Sequence, residues 1–245
     1  MKTVGIIPVR LESSRLHQKA IADISGIPMF AHTYMRAKLS NSLDEVYLAT
    51  DSEEIKKISE NFNINTIMTD PKHRNSSERI AEACMDLDCE IVVNIQGDEP
   101  LLYPDHIDSI VAPLLEDSSI DVCMGITKFS KKNSYSDIKA AIDMNGHILY
   151  CSRNDIPFKN IANNEPLWKL VFIVPHRKEC ILKYLQWEQT PLEISEDNHF
   201  LRLLENGVKV KTVEVEDAKI SVDTVDDLNE VRELMKSDEL IKKYK

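Results

Sequence analysis

Residues 90–100 read EIVVNIQGDEP. The nearly continuous apolar run at 90–95 is typical of a strand that is covered on both faces, as in a parallel sheet. Two acidic residues, Asp98 and Glu99, follow this strand. In a doubly wound sheet the carboxyl ends of the strands face the ligand crevice, so these carboxylates are predicted to lie beside a binding site. Carboxylate oxygens there suit a hard divalent cation that arrives with phosphates, although a simple strand-ending turn has the same composition.

Strands and helices alternate through the first half of the chain. Further apolar runs lie at 4–9, 46–50 and 64–68, and amphipathic stretches lie at 28–40, 51–62, 76–87 and 104–115. Several of these stretches begin with a capping residue or a proline in the first turn, as helices do. The repetition predicts an α/β fold with a doubly wound, mostly parallel sheet.

The alternation stops after about residue 125. Asn145-Gly146 predicts the turn of a hairpin over 138–152. Further predicted elements are a strand at 169–175, helices within 177–187 and 191–207, a strand at 208–215 and a last helix capped by Asp223 or Thr224. Because no linker rich in proline, glycine or serine divides the chain, it is predicted to form a single domain, 1–245, around one shared sheet.

Composition excludes several classes of protein. The 245 residues carry a net charge of −11, which disfavours a nucleic-acid surface. No run approaches the roughly 18 apolar residues of a membrane span, and the short first apolar run reads as a strand rather than a signal peptide. The five cysteines form no CxxC pair, which argues against a disulfide framework or a zinc site. We therefore expect a cytoplasmic protein that binds neither nucleic acid nor membrane.

The loop after the first apolar run is basic. It reads PVRLESSRLHQK at 8–19 and contains Arg10, Arg15 and Lys19 with two serine hydroxyls. Cations and hydroxyls at the carboxyl end of a strand can hold a triphosphate through charge-assisted hydrogen bonds. The segment is not a Walker A loop, since GxxxxGK[ST] is absent, and a solvated basic loop is the alternative interpretation.

Three more polar segments are candidates for the same site. Residues 73–79, HRNSSER, open a predicted helix, where an anion or the edge of a base can bind. Arg153 ends a predicted strand, and Asp223 lies in the segment SVDT at 221–224. A role for Asp223 as a helix cap alone is the simpler alternative.

Together these segments resemble the CMP-Kdo synthetases, also called 3-deoxy-manno-octulosonate cytidylyltransferases. The family pattern IPARxxSxRxPGKPL is similar to residues 7–19, and NxQGDEP is complete at 94–100. SGTER is similar to 75–79, YFSR to 150–153, WxxxPLExxE to 187–196 and GVDTxEDL to 221–228. The resemblance runs in order from about residue 3 to 235.

The resemblance implies a fold, a reaction and a set of site residues. The fold would be a Rossmann-like domain with a smaller inserted lobe for dimerisation and acceptor binding, in a homodimer. Residues 1–130 would mainly bind nucleotide, 131–215 would form the lobe, and 216–245 would add a metal ligand and the last helix. The reaction would couple CTP to Kdo or a related small anionic sugar acid.

The implied catalytic residues are Arg15, Lys19, Asp98 and Asp223, and the two aspartates would hold Mg²⁺. The implied substrate-binding residues are Pro8, Arg10, Ser14, His73, Ser77, Arg79, Gln96, Arg153, Glu193 and Glu196. Among them Arg153 would face the carboxylate of the acceptor.

The departures from the family pattern fall on the acceptor side. A histidine that lines the family's sugar pocket is replaced by Leu170, and a Glu-Gln pair is replaced by His199-Phe200. Other anionic acceptors, such as an amino-Kdo, a nonulosonate-like acid or a phosphonate, therefore stay open. So do transfer from UTP or GTP and a non-catalytic nucleotide-binding homologue, but a dinucleotide-dependent Rossmann enzyme would need the GxGxxG that is absent after the first strand.

Overall fold

The computed structural model describes residues 1–12, 16–158, 166–216, 218 and 220–245. Its strands are β1 Thr3–Val9, β2 Asp23–Ile24, β3 Ile27–Pro28, β4 Glu45–Thr50, β5 Thr66–Met68, β6 Ile91–Ile95, β7 Val122–Phe129, β8 Lys139–Ile142, β9 Ile148–Ser152, β10 Leu167–Val171, β11 Ile173–Arg177 and β12 Val210–Glu214. Its α-helices are α1 Met29–Ala37, α2 Glu53–Glu60, α3 Ser76–Ala83, α4 Pro104–Glu116, α5 Lys178–Tyr184, α6 Pro191–Glu196, α7 Leu201–Glu205 and α8 Val225–Met235. Short 3₁₀ turns lie at Lys19–Ile21 and Leu240–Lys243.

Ten strands form one central sheet in the order β5-β4-β1-β6-β11-β7-β10-β8-β9, with β12 paired to β7. The strands β5, β4, β1 and β6 are parallel neighbours. Within the described ranges, seven of the ten strands point the same way, and only β9, β10 and β11 run against them. The predicted α/β fold with a mostly parallel sheet is therefore confirmed.

Helices cover both faces of the sheet. Successive side chains of a strand point to opposite faces, so a strand that is apolar throughout needs a cover on each face. Val4 and Ile6 of β1 pack in a cluster with α3, α5 and α7, whereas Ile7 and Val9 pack in a cluster with α1 and α4. A third, smaller cluster joins α8 to β2 and to the start of α1, through Val231, Ile24 and Met29 among others. The last helix, α8, therefore lies beside the carboxyl ends of the inner strands β1 and β6.

Most predicted elements are confirmed, including the hairpin of β8 and β9 and the last helix, whose cap is Thr224. The single strand predicted at 169–175 is wrong: the chain forms β10 and β11, which are separated at Phe172. β10 pairs along β7, while β11 pairs along β6 and meets β7 only at His176. Because both strands are buried, the apolar run continues across the break. The sequence therefore does not show where the chain stops pairing with one strand and begins pairing with another.

In the part of the chain that the structure describes, no helix is long and apolar enough to cross a membrane. The five cysteines are buried free thiols. Burial raises the pKa of the Cys84, Cys123, Cys151 and Cys180 thiols to about 12. These side chains belong to the apolar packing on the two faces of the sheet.

Candidate active site

A cavity of about 660 Å³ opens at the carboxyl ends of β1 and β6. The loop after β1, the start of α3, the loop after β6 and the α6–α7 region line it. The predicted site residues on its wall are Pro8, Arg10, Lys19, His73, Arg79, Gln96, Asp98, Arg153 and Glu193. The structure therefore brings segments from five separate parts of the sequence to one crevice.

Asp98, Lys19 and Asp223 form the charged centre of this region. The Lys19 ammonium donates to Asp98 Oδ2 at 2.7 Å and to Asp223 Oδ1 at 3.2 Å. It also donates to the backbone oxygen of Val222 at 2.8 Å. The two aspartates, 125 positions apart in the chain, thus meet around one cation.

Backbone contacts hold the two aspartate segments together. Val222 N–H donates to the carbonyl of Asp98 at 2.9 Å, so the segment before α8 lies directly on the loop after β6. That loop in turn lies close to β1, because a Cβ on Gly97 would be 2.7 Å from Val9 Cγ2. Glycine at 97 is therefore required by the close approach of the loop, and the approach fixes where Asp98 stands.

The donor set of this centre suits a divalent cation. Two carboxylates face one point, and the Lys19 ammonium shows that a cation is accommodated between them. Hard cations such as Mg²⁺ are held in just this way, by one or two carboxylates with substrate phosphates completing the shell. Nearby, burial and the charge of Asp98 raise the pKa of Glu99 to about 7. No group of three or more His, Cys, Asp or Glu side chains within metal-binding reach occurs among the described residues.

The loop after β1 supplies a cation without a partner in the described ranges. Arg10 is exposed on the cavity wall and makes no hydrogen bond or ion pair with any of the described residues. Ser14 and Arg15, which the sequence also assigned to this loop, lie outside the described residues. Arg10 is thus available to an anionic ligand.

The start of α3 forms a second wall. The side chain of Asn75 caps the helix by accepting from Glu78 N–H, which turns Ser76 toward the cavity and leaves Ser77 fully buried. The Ser77 hydroxyl has no hydrogen-bond partner in the described part of the chain. Of the two serines in this motif, the structure places Ser76 on the cavity, not the Ser77 that the sequence singled out.

Ser76 is the centre of a small polar cluster. Its hydroxyl oxygen lies 3.3 Å from Gln96 Nε2, 3.4 Å from Asn94 Nδ2 and 3.1 Å from His199 Nε2. Burial lowers the pKa of His199 to about 4, so the ring is neutral at physiological pH. Since two amides donate to the hydroxyl oxygen, its own hydrogen is left for His199 Nε2. His199 then carries its ring hydrogen on Nδ1, and the sequence had marked this residue only as a departure from the family pattern.

His73 and Arg79 are held by carboxylates beside the cavity. His73 Nε2 bonds to Glu82. Arg79 donates to Thr69 Oγ1 at 2.6 Å and to Asp51 Oδ2 at 3.0 Å. Because both side chains are already bonded to carboxylates of the protein, they shape the cavity wall and leave little unpaired charge for a ligand.

Arg153 lines the cavity, but most of its hydrogen bonds stabilise the end of α6. Its guanidinium donates to the carbonyl oxygens of Glu196 and Asp197, to Asp197 Oδ2 and to the carbonyl of Tyr135. One Nη1 hydrogen stays available for a ligand. Glu196 does not line the cavity: its carboxylate accepts from Tyr150, Ser152 and Arg153 N–H and so ties α6 to β9.

Glu193 lines the cavity and is bound by a buried arginine. Arg202, fully buried, donates to both Glu193 oxygens at 2.7 and 2.5 Å and to Glu78 Oε1 at 3.1 Å. Burial opposes ionisation of Glu193 and Glu78, but the arginine bonds outweigh it and lower the pKa of both carboxyls. Glu78 also binds Arg74, another cavity residue. A row of alternating charges, called the charge chain below, therefore connects the α3 wall of the cavity to the α6–α7 wall. Its members are Arg74, Glu78, Arg202 and Glu193.

Two residues of β10 and β11 are buried and do not line the cavity. Leu170, which stands where the family has a histidine, is 1% exposed in the core. His176 is fully buried, and neither ring nitrogen bonds to a described residue. Burial lowers the pKa of His176 to about 3, so it is neutral and part of the packing.

The chain is similar to known cytidylyltransferases in sequence and in fold. A family model described as cytidylyltransferase matches residues 4–213. The chain is 38% identical over 252 residues to the 3-deoxy-manno-octulosonate cytidylyltransferase of Geotalea uraniireducens (strain Rf4), covering 96% of this chain and 100% of that protein. It is 35% identical over 243 residues to the protein of the same name from Zea mays, covering 96% and 82%. The solved structure of a CMP:2-keto-3-deoxy-manno-octonic acid synthetase complexed with CTP superimposes with a TM-score of 0.92 at 31% identity, covering 96% of this chain and 99% of that chain.

Proposed function

Because the chain belongs to the cytidylyltransferase family, we propose that it transfers the CMP part of CTP to 3-deoxy-manno-octulosonate (Kdo) and releases pyrophosphate. The observation that carries this proposal is the meeting of Asp98 and Asp223 around one cation at the edge of the cavity. Two carboxylates that face one point can hold a metal ion, and a metal ion can hold phosphates. A binding-only descendant would have no need to keep both.

The reaction is an in-line displacement at phosphorus. The anomeric hydroxyl of the acceptor attacks the α-phosphorus of CTP and loses its proton to solvent, a new P–O bond forms, and the P–O bond to pyrophosphate breaks. Such a transfer depends on positioning and on charge neutralisation rather than on covalent help from the protein. Mg²⁺ held by Asp98 and Asp223 would supply Lewis-acid polarisation of the α-phosphate.

The nucleotide side of the site is the basic loop and the loop after β6. Arg10, which lines the cavity and has no partner among the described residues, would bind phosphate oxygens. Lys19 would offset charge that builds on the leaving pyrophosphate. Arg15 and Ser14 would share the triphosphate, and Arg79 and Gln96 would shape the seat of the cytosine.

The acceptor side is the wall formed by Arg153 and the α6–α7 region. The remaining Nη1 hydrogen of Arg153 would meet the carboxylate of the sugar acid. Two observations favour a second candidate, a related anionic acceptor such as an amino-Kdo or a nonulosonate-like acid. Leu170 lies in the core rather than on the cavity, and His199 presents a neutral ring where the family has a carboxylate.

Assembly and location complete the proposal. The chain would act as a homodimer, and the exposed apolar side chains of the lobe, Tyr135, Leu149 and Phe158, would contribute to its interface. Free thiols and the use of CTP are consistent with the cytoplasm.

The proposal is tested by measuring pyrophosphate release with CTP, Mg²⁺ and a panel of acceptors: Kdo, amino-Kdo, a nonulosonate and a phosphonate. Kdo is expected to give the highest kcat/KM, and UTP or GTP in place of CTP is expected to give little product. Asp98→Ala should reduce turnover by at least about 10²–10³, the scale of losing one transition-state charge contact. Turnover of Asp98→Ala within about tenfold of the parent at saturating Mg²⁺ would refute the metal assignment.

A further inference from the structure

Lys19 is bound where a metal ion is expected. Its ammonium has three hydrogens, and three oxygens surround it: Asp98 Oδ2, Asp223 Oδ1 and the carbonyl of Val222. The side chain is only 14% exposed, although lysine is normally a solvated surface residue. All of its hydrogen-bonding capacity is therefore used within this cluster of oxygens.

An ammonium and a divalent ion cannot occupy this position together. Both require the same carboxylate oxygens, and two positive charges at contact distance repel each other strongly in a partly buried site. We propose that Lys19 and the divalent cation exchange at Asp98 and Asp223, so that Lys19 acts as an internal competitor of the metal. This inference rests on the proposed function, since it takes the two aspartates to be the metal ligands.

The exchange links metal binding to nucleotide binding. Lys19 has to find another anionic partner when it leaves the aspartates, and the triphosphate that binds at the adjacent loop provides one. The nucleotide therefore makes displacement of Lys19 easier and raises the affinity for the metal. By thermodynamic reciprocity the metal raises the affinity for the nucleotide by the same factor. The enzyme then holds little metal before its phosphate substrate arrives.

The competition is tested first on the nucleotide-free protein with Mn²⁺, whose unbound fraction is measured by electron paramagnetic resonance. Lys19→Met removes the competing ammonium while keeping an unbranched side chain of similar length. The variant is expected to bind Mn²⁺ at least about tenfold more tightly than the parent, a difference of about 1.4 kcal/mol. Equal or weaker Mn²⁺ binding by Lys19→Met would overturn the proposal.

A second measurement separates true exchange from a general loss of positive charge, and it needs no variant of Lys19. The rate at which an amine-acylating reagent modifies Lys19 in the nucleotide-free parent is followed by mass spectrometry, without Mg²⁺ and at an Mg²⁺ concentration that displaces bound Mn²⁺ from the same protein. Lys72, whose side chain is 88% exposed, serves as the internal reference. Mg²⁺ is expected to raise the rate at Lys19 several-fold relative to Lys72. An unchanged ratio would show that the ammonium stays between the aspartates, and it would refute the exchange.

Asp98→Asn distinguishes failure of this inference from failure of the proposed function. If Asp98 is a metal ligand, the variant loses Mn²⁺ affinity, and its Lys19 is modified faster even without metal. If Mn²⁺ binds as well to Asp98→Asn as to the parent, the metal site itself is misassigned. If Asp98→Asn loses Mn²⁺ affinity while Lys19→Met gains none, the site stands and only the competition is wrong.

Discussion

Arg202 is expected to be the most important single charge for stability in the described structure. It is fully buried, donates at 2.7 and 2.5 Å to Glu193 and at 3.1 Å to Glu78, and lies 4.3 Å from the centre of the Tyr184 ring. Arg202→Met keeps the volume and apolar stem of the side chain but leaves the Glu193 carboxylate buried without its counter-charge. Removing one partner of a buried ion pair typically costs about 3–5 kcal/mol of unfolding free energy, and we expect a loss in that range.

The pH dependence of this loss gives a sharper test. In the parent, arginine bonds hold the pKa of Glu193 below its ordinary value of 4.5, so their stabilisation is complete above pH 4.5 and is lost as the pH falls through the lowered pKa. In Arg202→Met the largest opposition to burial is gone, although the hydrogen bonds from Thr190 and Gln189 remain, and the pKa of Glu193 should rise. The variant then gains stability on acidification toward pH 5, where the parent has not yet lost any. The difference between the two proteins should therefore be smaller at pH 5 than at pH 7.5.

Urea denaturation followed by circular dichroism at both pH values measures these quantities. Arg74→Met is the matched control, because Arg74 also binds Glu78 but is 49% exposed; a pair this exposed contributes about 1 kcal/mol or less. A loss below about 1 kcal/mol for Arg202→Met, or a loss that does not change with pH, would refute this account of the charge chain. If Arg202→Met does not fold at pH 7.5, Arg202→Met combined with Glu193→Gln should recover soluble protein, since the unpaired charge is then gone.

Three further outcomes are expected from the geometry of the cavity. Arg10→Gln should raise KM for CTP about tenfold or more and leave the melting temperature unchanged, because Arg10 has no partner among the described residues; equal KM values would remove Arg10 from the nucleotide site. His199→Phe should raise KM for the acceptor but not for CTP, while His199→Asn, which keeps a donor near the Nδ1 position, should restore part of the affinity, and steady-state kinetics with each substrate varied decides this. Gly97→Ala should reduce both stability and turnover, because the added methyl carbon would lie 2.7 Å from Val9 Cγ2 and push the loop that carries Asp98; a variant with parental melting temperature and kcat would show that the loop adapts freely.

Much of the fold could be predicted because its signals are local. β6 is uniformly buried and reads as such, and the hairpin at Asn145-Gly146 and the cap at Thr224 each depend on a few adjacent residues. The break at Phe172 could not be predicted in this way. The residues on both sides of the break, 170–174, form a continuous apolar run, and only the pairing of β10 with β7 and of β11 with β6 separates the two strands.

The site was predictable as a set of segments but not as a set of contacts. The sequence placed Asp98, Asp223 and Lys19 in one reaction but did not predict that Lys19 bridges the aspartates, since those contacts span 79 and 204 residues. Ser76 and Ser77 are adjacent, and which of them faces the cavity depends on where the helix begins. Asn75 is the helix cap, and successive side chains of a helix point about a quarter of a turn apart. The predicted roles of Ser14 and Arg15 stay predictions, because they lie outside the described residues.

The attachment of α8 has a consequence for how activity is lost. Asp223 stands just before α8, and the helix is held by a small apolar cluster of its own rather than by the two large ones that flank the sheet. Opening of that cluster alone would carry one carboxylate away while the ten strands kept their hydrogen bonds. Inactivation by mild heat or dilute urea is therefore expected to precede the loss of far-ultraviolet ellipticity, as a separate, reversible fraying of the C-terminal segment.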